Sequence, residues 1–147
     1  LRNTQVKVLR DGFVEANQTV PNTSPYSITF TTPATTSYQI GIDFDVLIKT
    51  MPQEPNLATG TSVGVKKRVL RVDALVKDSQ SMAINGTTVS FTSYGTTPLD
   101  AVATPTTGLK TVHGILGYTE TGQISITQPY PLKLNLIGME YRLSLGE

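Results

Sequence analysis

Between residues 38 and 50 the chain alternates almost without a break. Tyr38, Ile40, Ile42, Phe44, Val46 and Ile48 fall at every second position, with Gln39, Asp43, Asp45 and Lys49 between them. Successive side chains of a strand point to opposite faces, so this period predicts one long strand with an apolar face buried and a polar face in water. Over 66–77 the period of two returns: Leu70, Val72, Ala74 and Val76 share one face, and Lys67, Arg71, Asp73 and Lys77 take the other. Over 122–128 it places Ile124 and Ile126 inward. Asp11-Gly12 and Asn85-Gly86 each separate two strand-like runs. Both pairs tolerate the positive φ angles of a two-residue hairpin turn, so they predict hairpins at 5–20 and 82–91. The second turn pairs Ile84 with Thr87 and Met82 with Val89.

Near the C-terminus the apolar phase changes. Leu132, Leu134 and Leu136 occupy even positions; Ile137, Met139, Tyr141, Leu143 and Leu145 occupy odd ones. One extra residue in a strand flips every later side chain to the other face, which predicts a β-bulge near Ile137 and Gly138. Shorter strands are expected at 26–30 and 108–116. Pro, Gly and Thr concentrate at 51–64 and 95–108, which read as long loops, the first also as the seam between two sheets. No useful run repeats at the helical period. The expected fold is all-β, an antiparallel β-sandwich or a barrel-like pair of sheets, forming one β domain over 1–147 with a sub-module seam at 51–64.

Composition agrees with this pattern. Hydrophobic residues make up 38% of the chain, enough for one core, and paired threonines such as Thr31-Thr32 and Thr87-Thr88 suit a pleated surface facing water. A net charge of +1 gives no general attraction to nucleic acid or to an anionic membrane. The chain has no cysteine, which removes thiol catalysis, thiolate metal sites and disulfides.

Candidate chemistry is sparse. His113 is the sole histidine, and no Gly-x-Ser-x-Gly elbow or phosphate-binding loop is present. No cofactor is expected, and an enzyme is the least favoured reading. Asp43 and Asp45 would stand about 7 Å apart on one face of the long strand, a loose fit to a glycosidase pair. Lys66, Lys67, Arg68 and Arg71 form the one basic cluster, and alternation divides it between two faces. The six tyrosines include Tyr94, Tyr118 and Tyr130 near loops, where an aromatic platform would suit a carbohydrate-binding or adhesin-type module.

The order of the segments carries a resemblance. The hairpin Val6-Lys7-Val8-Leu9-Arg10-Asp11-Gly12 precedes Tyr38-Gln39-Ile40-Gly41-Ile42-Asp43-Phe44. Gly64-Val65-Lys66-Lys67-Arg68 follows the Pro/Gly loop, and Gly122 to Gln128 leads into Pro129-Tyr130-Pro131-Leu132. Together these resemble the later part of phage tail nozzle proteins, the tail tubular protein B-like group of short-tailed bacteriophages. The likeness spans most of the chain through short motifs, and Asp43 stands where the group usually has proline.

The resemblance implies one β domain of a longer virion protein of the phage tail, built into a ring of about six copies. Such a ring sits among tail adaptor and fibre or spike proteins. It retains packaged double-stranded DNA and passes it without sequence-specific binding, and it involves no membrane. DNA slides past walls that do not grip it, so Asp43 and Asp45 are the candidate channel-facing residues. Lys66, Lys67, Arg68 and Arg71 are then the candidate inter-subunit or partner contacts.

Overall fold

The structure, a computed structural model, describes residues 2–30, 32–42, 44–58, 60–92, 101–114 and 117–146. The described residues hold no helix, and their strands form three antiparallel sheets. In the first, β1 (Gln5–Arg10) pairs on one side with the short β2 (Phe13–Val14) and β3 (Gln18–Thr19), and on the other with β4 (Tyr38–Ile42). The second contains β5 (Leu47–Lys49), β7 (Ala83–Ile84), β8 (Thr87–Thr88) and β10 (Ser125–Thr127), in the order β5-β10-β7-β8. The third places β6 (Lys67–Ser79) between β9 (Thr106–His113) and β11 (Leu136–Leu145). No sheet closes into a barrel. The fold is all-β and sandwich-like.

The turn chemistry works as the residues dictate. Asp11 and Gly12 sit at φ 51 and 85, Asn85 and Gly86 at φ 46 and 80, and the strands they join pair Arg10 with Phe13 and Ile84 with Thr87. Val89 N donates to Met82 O at 2.9 Å, which continues the second hairpin beyond its strands. Gly12 is required for space as well: a Cβ there would lie 2.8 Å from Val102 Cγ1.

The main core lies between the second and third sheets. Val69, Val72, Ala74 and Val76 of β6 and Val112 of β9 meet Ile84, Ile124 and Ile126, with Met82, Val89 and Phe91 beside them. Leu134, Leu136, Met139, Tyr141 and Leu143 pack against this cluster. Fully burying one such aliphatic side chain contributes about 1.5–3 kcal/mol, so this cluster dominates the stability of the sandwich. A smaller core of Val6, Val8 and Val20 is covered by Ile28 and Phe30 on the first sheet, where Phe30 also stacks on the Tyr38 ring. The 26–30 segment is therefore a cover over β1, and it forms no strand.

The expected bulge is present. Leu136 stands opposite Val76 and Gly138 opposite Leu75, leaving Ile137 as the extra, exposed residue. A second irregularity lies across from Arg142 and Leu143, where Arg71 and Val69 are paired and Leu70 is the odd residue. It turns Val69 and Lys67 to the side that Val72, Ala74 and Val76 also face, and it leaves Leu70 exposed where a buried position was expected.

The long strand at 38–50 is not one strand. It divides into β4 and β5, which belong to different sheets. Its apolar residues are largely exposed, Ile40 at 54% and Phe44 at 73%. Among the described residues, each half has a strand neighbour on one side alone. In chain order, β5 of the second sheet is followed by β6 of the third.

Candidate functional site

The sequence-predicted residues do not come together. Asp43 lies outside the described residues. Asp45 is exposed in the stretch between β4 and β5 and makes no hydrogen bond or ion pair among the described residues. Lys66 is exposed just before β6, where its carbonyl accepts from Gly146 N at 2.8 Å. Arg68 is half-buried, and its Nε has no hydrogen-bond partner among the described residues. Arg71 reaches along its own strand, with Nε 2.6 Å from Asp73 Oδ2.

Lys67 is the correction. Expected on a wet face and as a partner contact, it is 0% exposed. Its ammonium donates to Ser62 O at 2.9 Å and Glu120 O at 2.8 Å, and it lies 3.3 Å from Glu54 Oε1. The ammonium's three hydrogens therefore meet two carbonyls and a carboxylate, which makes its burial tolerable. The Lys67 backbone exchanges hydrogen bonds with Thr119 in both directions, at 2.7 and 2.8 Å. Gly122 packs so close that a Cβ would sit 3.3 Å from the Lys67 stem. Lys67 thus ties the 51–64 loop and the 117–122 loop to the start of β6, and no face of it is left for a neighbour. The unread signal was the spacing from Val69 to Val72, three rather than two, which marks the bulge that turns Lys67 inward.

Two carboxylates are held in fixed surroundings. Asp11 accepts from the backbone N–H groups of Thr35, Thr36 and Ser37, each at 2.8 Å, and from the Thr35 hydroxyl at 3.0 Å. The Ser37 and Thr35 amides do most to lower its pKa, from 3.8 to about 2. Four donors aimed at one carboxylate at a hairpin turn make a clamp that fixes the 35–37 segment and so the entry to β4. Asp73 is held below its ordinary value first by the Arg71 guanidinium and then by the Thr111 hydroxyl. Both arrangements anchor neighbouring segments of the chain to one another.

Of the three tyrosines near loops, Tyr94 lies outside the described residues. Tyr118 lies beside Gly146, its ring 3.1 Å from the position of a Cβ there, Tyr130 lines the groove beside β4, and the two rings do not stack on each other among the described residues. Among the described residues, no group of three or more His, Cys, Asp or Glu is placed to hold a metal ion. No helix is long and apolar enough to cross a membrane.

What the structure does present is an open apolar strip. Ile40 and Ile42 on β4, then Phe44, then Leu47 and Ile48 on β5, then Met51 are all exposed, Met51 at 81%. Beside β4 a groove of about 500 Å³ runs between the first sheet and the 128–134 segment, lined by Leu9, Ile40, Ile42, Phe44, Tyr130 and Leu134 among others. These exposed apolar residues make this stretch the candidate interaction surface.

Among the described residues, the strip also lies on unpaired strand edges. Ser37 turns its carbonyl to Asp11 N, so by alternation Tyr38, Ile40 and Ile42 direct their backbone groups away from β1. The missed signal for this surface is topological, since nothing in residues 38–51 says which face acquires a cover.

Compared with known proteins, the sequence matches no family model, and no curated protein matches it.

Proposed function

We propose that this chain is a structural component of a short-tailed bacteriophage tail, part of its tube or nozzle, that helps retain packaged DNA and form the ejection channel. It acts by assembling with copies of itself into a ring of about six and with neighbouring tail proteins. It carries out no catalysis. The observation that carries this reading is the apolar strip from Ile40 to Met51 along the free edges of β4 and β5. Free edges with exposed apolar side chains are ready to take up another chain.

The resemblance of the quoted segments to tail nozzle proteins supports the same reading. Asp45, exposed and unpaired among the described residues, is the remaining candidate for a channel wall. Lys66, Arg68 and Arg71 remain candidates for contact with a neighbour; Lys67 does not. The alternative, a carbohydrate-binding or adhesin-type module, draws on the groove beside Tyr130.

Mass measurement of the chain in solution, alone and mixed with the other tail proteins, separates the two. Rings of about six copies, or incorporation into a tail complex, are the expected result. A chain that ignores tail proteins and binds a glycan array overturns the proposal in favour of the alternative.

A further inference from the structure

The edge of the second sheet carries information that the rest of the strip lacks. Thr50 N donates to Ile124 O at 2.9 Å, and Ile48 stands opposite Ile126. Even-numbered residues of β5 therefore turn their backbone groups to β10, and Leu47 and Lys49 turn theirs outward. Leu47 is 61% exposed, and Asp45 and Lys49 are exposed without an ion pair among the described residues.

The sequence of this edge is self-complementary when read antiparallel about Leu47. With Leu47 opposite Leu47 of a second copy, Val46 meets Ile48 and Asp45 meets Lys49, and two-fold symmetry makes each of these crossings occur twice. Apolar pairs then lie on one face of the joined sheet, and an apolar pair flanked by two opposite-charge pairs lies on the other. A slip of one residue would set Lys49 opposite Phe44 and lose both charge pairs, so the charges disfavour that register.

Of the other edges, β11 is also self-complementary, since Glu140 meets Arg142 when the strand is read antiparallel about Tyr141, but the bulge at Ile137 bends that edge. Lys110 of β9 reaches over to Ser90 O at 3.1 Å. β2, β3 and β8 are two residues each. β4 is free but has no charge between Tyr38 and Ile42 to set a register.

We propose that β5 is a homotypic strand-pairing site, and that two copies of this chain join through it into one continuous antiparallel sheet. The contact is isologous, which makes it distinct from the head-to-tail contact of a ring and independent of the tail reading. The test is sedimentation equilibrium of the chain over a concentration series up to about 1 mM, since a contact of this length is in the weak class. A monomer–dimer equilibrium is expected.

D45K and K49D should each weaken the dimer by about tenfold or more, because each sets like charges opposite one another twice. An equimolar mixture of D45K and K49D returns opposite charges to both crossings and should form a mixed dimer, as should the D45K/K49D double variant alone. Both sites are exposed, so the melting temperatures of the variants should stay close to that of the parent chain. A chain that stays monomeric throughout, single variants that dimerise as well as the parent, or no gain on mixing each overturns the pairing.

Discussion

β6 and the segment that runs from β4 to β5 are built from similar material and end in opposite surroundings. β6 contains two lysines, two arginines and two aspartates, yet it lies at the centre of the third sheet, with Val72 and Val76 fully buried and even Lys67 sealed from water. The other segment alternates more regularly, and its apolar residues lie open. The difference is in neighbours. β6 is flanked by β11 and β9 and covered by a second sheet, whereas β4 and β5 each have a strand on one side only. Alternation decides which residues share a face. Whether that face is covered depends on strands that arrive from elsewhere in the chain.

The sharpest way to break the comparison is at Lys67. Lys67→Ala deletes the donor that joins Ser62 O, Glu120 O and the Glu54 carboxylate, and it opens a cavity beneath Gly122. The expected cost is about 3 kcal/mol in urea unfolding, because the buried lysine stem leaves a cavity and two carbonyls each lose a donor. A cost near zero would mean that the loops at 51–64 and 117–122 hold without it.

Val72→Ala removes two methyl groups' worth of packing from the middle of β6 and should cost about 2 kcal/mol by the same measurement.

Asp11 tests how β4 is held. Its folded pKa is depressed from 3.8 to about 2, so the stability it contributes is present above 3.8 and is lost as the pH falls toward about 2. Asp11→Asn keeps a residue that tolerates the positive φ of the turn but removes the charge from the four-donor clamp. The variant should melt below the parent chain at pH 7, and the gap should close as both are taken from pH 4 toward pH 2. A gap that persists unchanged at low pH would assign the effect to the turn rather than to the carboxylate.

The smallest effect belongs to the open strip. Ile40→Thr and Ile42→Thr should change stability by no more than about 0.5 kcal/mol, since little burial is lost. A loss comparable to that of Val72→Ala would show that β4 is covered in solution.

How much of this was readable follows from how local each cause is. Both hairpins were legible because Asp11-Gly12 and Asn85-Gly86 fix their own backbone angles. The bulge at Ile137 was legible because the flip from Leu136 to Met139 is written within one strand. The equivalent device at Leu70 was hidden, because Leu70 itself continues the apolar phase of Val72 and only Val69 departs from it. The burial of Lys67 depended on acceptors from residues 54, 62 and 120, and no reading of residues 66–71 supplies them.

For this protein the order of apolar and polar residues was enough to determine an all-β chain, the positions of its turns, and the faces on which most core residues lie. These follow from backbone angles and from the two-residue period of a strand, and both act over a few neighbouring residues. The tertiary structure alone decided that the most regular strand would divide between two sheets and that Lys67 would become an internal post. Burial, charge pairing and edge pairing depend on what packs from across the fold, and that is settled by contacts between residues far apart in the chain.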